Sequence, residues 1–215
     1  VARRQPRVRG PSPRKRYATQ LEIKTQVEEF LREKGDDASA YSNSDKELLR
    51  QYTGIGGLES RGAEGRGLLD EYYTPGPVID LTWDIVDKHL KDGTLTILEP
   101  SVGIGSFLTG APKNSNIEAF EISETSAKIA SILYPDAGIE NAPFESMFVT
   151  DRGGTKTIKP TYDLVIGNPP YGEHRGKYKG LGEEPNISKY EEYFLKRALD
   201  VTKEGGIVAM VMPSS

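Results

Sequence analysis

The chain has 215 residues, 36% of them hydrophobic and 28% charged, enough for one well-buried core with an appended segment. It contains no cysteine, which excludes a disulfide framework, a cysteine nucleophile and a thiolate metal site. No apolar run reaches the roughly 20 residues that a membrane-spanning helix needs, and no secretion signal opens the chain, so the expectation is a cytoplasmic protein without a membrane partner. The formal net charge of −4 is unevenly spread. Arg3, Arg4, Arg7, Arg9, Arg14, Lys15 and Arg16 make a basic arm without a single acid, suited to phosphates or simply solvated.

In chain order, residues 1–20 read as that arm and residues 21–70 as a helical and glycine-rich accessory segment. A catalytic domain follows over 71–215. Leu21 to Lys34 has helical spacing, with Ile23, Val27, Phe30 and Leu31 on one face and Gly35 as its stop. Between Tyr52 and Gly67, six glycines predict a long loop. Thr74, Pro75 and Pro77 predict a helix start with a capping hydroxyl, followed by an apolar face of Val78, Leu81, Ile85, Val86 and Leu90. Beyond it, short apolar runs alternate with helical stretches. Leu95 to Leu98, Ile117 to Phe120, Tyr162 to Ile166 and Ile207 to Met212 read as buried strands, and Ser123 to Leu133 and Ser188 to Val201 as helices. The second helix has a Ser188/Glu191 capping-box pattern and an apolar face of Tyr190, Phe194, Ala198 and Val201. This succession predicts an α/β fold: a mostly parallel, Rossmann-like sheet with helices on both faces.

Two segments carry chemistry. The first strand runs into Glu99-Pro100-Ser101-Val102-Gly103-Ile104-Gly105-Ser106-Phe107, a glycine turn at a strand's carboxyl end, where open α/β sheets bind ligands. Such a turn also occurs for geometry alone. What distinguishes this one is a second acid, Glu121 in Ala119-Phe120-Glu121-Ile122, placed where a carboxylate accepts the two hydroxyls of a ribose. Leu108 stands where a dinucleotide fingerprint has its third glycine, so a nucleoside cofactor such as S-adenosyl-L-methionine fits better than a nicotinamide or flavin. The other segment, Asn168-Pro169-Pro170-Tyr171, follows the strand that ends at Gly167. An amide oxygen and a neighbouring carbonyl, held by two prolines, form a rigid acceptor pair for one planar NH₂ group, and Tyr171 offers an aromatic face for a planar substrate. Nucleophilic attack on a methylsulfonium needs no strong base, so positioning and electrostatics suffice. His89 and His174 lack metal-ligand spacing.

The order Tyr72-Tyr73-Thr74-Pro75, then the Glu99 to Phe107 turn, then Asn168-Pro169-Pro170-Tyr171 resembles the gamma class of amino DNA methyltransferases, adenine-N6 enzymes of restriction-modification and phage systems. The resemblance covers roughly Tyr72 to Met212. It implies a cofactor site of Tyr73, Thr74, Glu99, Pro100, Ser101, Gly103, Gly105, Phe107, Glu121 and Ile122. Thr74 would hold the methionine end, and Glu121 the ribose. The stretch Asn141 to Glu145 is the nearest counterpart of the family's adenine-contacting motif, with Phe144 and Glu145 as candidates. Asn168, Pro169, Pro170 and Tyr171 would hold a flipped-out adenine.

Upstream, Gln51 to Leu58 is similar to a segment that precedes the methylase in large phage-type or mobile-element proteins fusing a methylase to a helicase. Gly172 to Asn186, with His174, Arg175, Lys177, Tyr178 and Lys179, reads as a loop able to contact phosphates. Family members continue past the last predicted strand with a target-recognition domain, so DNA and a separate or fused recognition, helicase or nuclease domain are the expected partners. Methylation of a protein glutamine (N5) or an RNA guanine (N2) meets the same planar-amide chemistry. A non-catalytic methylase-fold module that binds DNA is the reading from another class.

Overall fold

The computed structural model describes residues 13–53, 74–90, 93–149, 154–173 and 187–213. Most of the basic arm, the glycine-rich 54–73 segment with Tyr72 and Tyr73, and residues 174–186 with their basic cluster lie outside the described residues. Five strands form one sheet: β1 (Thr96–Glu99), β2 (Asn116–Phe120), β3 (Gly138–Glu140), β4 (Tyr162–Gly167) and β5 (Thr202–Met210), in the order β3-β2-β1-β4-β5. Every pairing is parallel. After β3 the chain crosses back over β1 to start β4 on its other side. The carboxyl ends of β1 and β4 therefore flank the topological switch point, the place where such sheets bind ligands. The four expected strands are present with shifted ends, and β3, too short for a sequence signal, was not among them.

β1 and β4 form the central layer, with Ile97, Leu98, Leu164, Val165 and Ile166 fully buried, as strands covered on both faces require. Asp163 ties the layer together at the opposite end: its carboxylate accepts from the Thr96 N–H at 2.9 Å and from the Lys203 ammonium at 2.9 Å.

Among the described residues five α-helices accompany the sheet: α1 (Pro13–Lys34), α2 (Asn43–Leu49), α3 (Gly76–Val86), α4 (Glu124–Leu133) and α5 (Tyr190–Val201). α1 begins eight residues before the expected Leu21, at a proline suited to a first turn and followed by good helix formers, and it ends as expected at Gly35 in left-handed backbone. α2 opens with a capping box in which Ser42 and Asp45 satisfy each other's backbone N–H groups.

Two expectations about helix starts are corrected. The N-cap of α3 is Pro75 and not Thr74, and no side chain caps it. α5 is capped at Lys189 without a side-chain bond, so the Ser188/Glu191 box does not form; Glu191 is engaged elsewhere. The apolar face expected of α3 is kept at Val86 and Leu90 and is otherwise different. Ile79, Trp83 and Val86 point inward while Val78, Leu81 and Ile85 are exposed. The helix carries two apolar stripes at helical spacing, and the one with the larger aromatic surface takes the core. Trp83 fixes that choice by donating its indole N–H to the Phe107 carbonyl at 2.8 Å.

α1 and α2 do not stand apart from the sheet domain. Val27, Tyr41, Leu49 and Tyr52 share one buried cluster with Ile129, Ile132 and Leu133 of α4 and with Ile104 of the glycine turn. Leu49→Ala is expected to destabilise the protein by about 2–5 kcal/mol in a single cooperative unfolding transition followed by urea titration. A separate early transition of the helical segment would show instead that it is an independent unit.

Candidate donor and acceptor site

The glycine turn leaves β1 at Glu99 and folds back under hydrogen bonds from Val102 N–H to the Phe120 carbonyl (2.9 Å) and from Gly105 N–H to the Val102 carbonyl (2.8 Å). Gly103 and Gly105 both have positive φ, 55° and 86°, which L-residues adopt only under strain. A Cβ at Gly105 would also overlap the ring of Tyr134.

Glu121 stands at the end of β2, beside this turn. Its carboxylate accepts from the Gly103 N–H at 2.8 Å and from the Ser123 N–H at 2.7 Å, locking the end of β2 to the turn. Each carboxylate oxygen can accept more than one bond, so capacity remains on both. Asn141 secures the same corner from β3, donating its amide to the Glu121 carbonyl at 2.8 Å. Burial pushes the Glu121 carboxyl above the ordinary range, opposed by the backbone donors around it.

Glu99 is the more extreme acid. It is 1% exposed, and its Oε2 has no hydrogen-bond partner among the described residues. Burial pushes it well above the ordinary carboxylate range, and the neighbouring Glu121 charge adds to the effect. A buried carboxylate oxygen without a donor is costly, and a cationic N–H donor delivered by a ligand would offset that cost. Gly167, at the end of β4, lets the two strand ends approach: a Cβ there would lie 3.3 Å from the Glu99 Cγ, and its φ of 154° disfavours a side chain.

Asn168-Pro169-Pro170-Tyr171 begins immediately after Gly167. Ser101 of the glycine turn donates to the Asn168 main-chain carbonyl at 3.0 Å, which joins the two motifs directly. The Tyr171 hydroxyl lies against the Asn168 side-chain oxygen and 2.9 Å from the Val211 carbonyl. Gly172 is held on both sides. Its N–H donates to Glu191 at 2.9 Å and its carbonyl accepts from Tyr190 at 2.8 Å, which is where the expected capping carboxylate has gone.

The expected residues thus divide. Glu99, Pro100, Ser101, Gly103, Gly105, Glu121 and Ile122 gather at the ends of β1 and β2, with Asn168 to Tyr171 beside them, and Ile122 keeps an exposed apolar side chain. Phe107 is buried under α3, and its carbonyl serves Trp83. Phe144 is likewise buried, packed tilted or edge-on among Phe120, Phe148 and Phe194 at ring distances of 5.9, 5.0 and 5.1 Å. Glu145 is half-buried on the 3-10 turn that follows. Thr74 is half-buried just before α3, and Tyr73 lies outside the described residues. Gly167, Tyr134 and Glu191 were not found from sequence, because nothing local marks them. Among the described residues no group of three His, Cys, Asp or Glu side chains is arranged to hold a metal, and no helix is long and apolar enough to cross a membrane.

A parallel sheet with a glycine turn after β1, an acid ending β2 and an Asn-Pro-Pro-Tyr turn after β4 is the class I S-adenosylmethionine-dependent methyltransferase fold. A Listeria monocytogenes protein assigned to that class superposes with a TM-score of 0.56 at 15% identity, over 82% of this chain and 56% of that one. The chain belongs to the Eco57I restriction-modification methylase family, whose model matches residues 89–215. It is 32% identical over 182 residues to Defense against restriction protein B of Escherichia phage P1, covering 83% of this chain and 7% of that protein. Over 152 residues it is 25% identical to the modification methylase CviBIII of Paramecium bursaria Chlorella virus NC1A, covering 67% and 37%. The chain spans well under half the length of either relative.

The buried acid has a consequence for stability. With its native pKa raised above the unfolded value, Glu99 binds its proton more tightly in the folded state, so stability falls as pH rises from the ordinary carboxylate range toward the native pKa. Glu99→Gln should stabilise the ligand-free protein by about 1 kcal/mol at neutral pH and flatten that decline. Thermal melts from pH 4 to 9 check it; a variant with the wild-type slope would place the titration elsewhere.

Proposed function

We propose that this chain transfers a methyl group from S-adenosylmethionine to the N6 amino group of an adenine flipped out of DNA. The observation that carries the proposal is the junction of the two motifs: Ser101, two residues beyond the buried Glu99, donates to the main chain of Asn168. A donor cradle and an amide-and-proline acceptor are therefore held side by side at one switch point. The fit to S-adenosylmethionine rests on Glu99, whose partnerless buried oxygen suits the ammonium of the methionine moiety, and on Glu121, whose carboxylate keeps capacity for ribose hydroxyls. Ile122, 54% exposed beside Glu121, offers an apolar platform for the adenine of the donor. Phe144 is buried and packs against Phe120 at the end of β2.

The acceptor nitrogen brings its lone pair to the methyl carbon. A nitrogen–carbon bond forms, the carbon–sulfur bond breaks with its electrons returning to sulfur, and the extra proton leaves the amine for water. Asn168 Oδ1 and an adjacent main-chain carbonyl accept from the amino hydrogens and concentrate electron density on the nitrogen. An adenine in a duplex cannot reach such a site, so the base must be extruded, a cost of a few kcal/mol offset by stacking on Tyr171. Membership of a restriction-modification methylase family, with the viral modification methylase CviBIII and a phage protein named for defense against restriction among the relatives, favours DNA over a protein glutamine or an RNA guanine. Sequence recognition would come from a separate or fused domain, with a helicase or nuclease as further partner, and the setting would be the cytoplasm.

Asn168→Ala is expected to reduce methyl transfer by about a hundredfold to a thousandfold, as for loss of a transition-state hydrogen bond, while donor affinity stays within a few-fold. Glu99→Gln should behave in the opposite way, lowering donor affinity by about tenfold or more. Nucleoside mass spectrometry of DNA from methylation-deficient cells and calorimetry with the donor provide the two readouts. Donor binding with no N6-methyladenine in DNA, but with methylated guanine in RNA or methylated glutamine in protein, would move the acceptor to that class.

A further inference from the structure

We infer that the Arg50 guanidinium, presented from the end of α2 beside Tyr134, receives the carboxylate of the donor's methionine moiety, which makes the α1–α2 segment a wall of the donor site. The inference rests on the donor reading of the glycine turn and is independent of the acceptor.

Packing places the segment there. Ile104, between the two positive-φ glycines, lies in one buried cluster with Val27, Leu49 and Tyr52, so the back of the turn is built on α1, α2 and the residues just after them. Tyr134, at the end of α4, is half-buried and packs on the same cluster, and its ring lies so close over Gly105 that a methyl group there would collide with it. Burial pushes its phenol up, opposed by the charge and hydrogen bond of Arg50 and reinforced by the charge of Glu99. A guanidinium from the helical segment and the buried acid of β1 thus both act on the one phenol whose ring covers Gly105.

The charges of the donor complete the argument. Its amino-acid end carries an ammonium and a carboxylate on the same carbon, so with the ammonium at Glu99 a cation within a few ångströms suits the carboxylate, beside any hydroxyl or N–H donor there. Arg50 meets that need with a planar fork matched to a carboxylate. Its other partner, Glu47 at 3.0 Å, is an exposed neighbour on the same helix, and such pairs hold a side chain weakly. Arg50 is itself 40% exposed, so replacing it removes little of the core.

The test is calorimetric titration of the full chain with S-adenosylhomocysteine, which keeps the amino-acid end, and with 5′-methylthioadenosine, which lacks it. Arg50→Ala should weaken the first about tenfold or more and leave the second within twofold, and Arg50→Lys should recover part of the loss. Equal weakening of both compounds would reduce Arg50 to a structural prop and overturn the inference, as would no weakening of either. A wild-type chain that binds neither compound would overturn the donor reading and this inference with it.

Discussion

Placing the Glu99 carboxylate in the interior, next to that of Glu121, is unfavourable in the protein alone, since both must give up water and they repel each other. The surrounding structure exists to make that arrangement tolerable. Backbone donors from the glycine turn and from the start of α4 hold Glu121 in place, and Gly167 removes the side chain that would keep β4 from Glu99. Glu99 itself is left with an oxygen that nothing described in the chain satisfies. An interior acid kept in that condition is poised to gain from a cation, and the gain appears only when a ligand supplies one.

The same constraint explains why the chain order of the strands matters. A glycine turn at β1 and an amide-and-proline turn at β4 lie far apart in sequence, yet the crossover makes β1 and β4 neighbours, with their carboxyl ends pointing the same way. Ser101 then needs only one hydroxyl to fix the register between them. On the proposed reading, the distance between donor and acceptor is set by strand spacing rather than by loops, which is the kind of rigid placement that transfer between two bound groups demands.

The parts legible in sequence were those whose signal is local. Apolar runs marked β1, β2 and β4, and the two motifs stood directly behind their strands, so the fold and the place of the candidate site in it were legible from local spacing. Where two local signals competed, packing decided. α3 carries one apolar stripe through Leu81 and Ile85 and another through Ile79 and Trp83, and only the tertiary contact of Trp83 with Phe107 selects between them. Ser188 and Glu191 spell a capping box, but Glu191 serves Gly172, 19 residues earlier in the chain, a partner that no pattern within a helix can announce. Tyr134 and Arg50 were invisible for the same reason: their part at the glycine turn comes from a helix end and an accessory helix meeting there in space.

On the proposed reading, the Asn168 to Tyr171 turn can wait for a substrate without leaving its polar groups exposed to cost. Asn168 Oδ1 is engaged by the Tyr171 hydroxyl, a group with a single proton but two acceptors within reach, Asn168 and the Val211 carbonyl. An incoming amino group that takes Oδ1 therefore leaves no orphan, because the hydroxyl can give its proton to Val211 while the ring stays in place. Since Val211 in turn donates its N–H to the Gly167 carbonyl, the relay closes on the strand end from which Asn168 departs. The exchange trades one hydrogen bond for another at nearly constant count, so the free energy of substrate binding is left for extruding the base and ordering it against the donor.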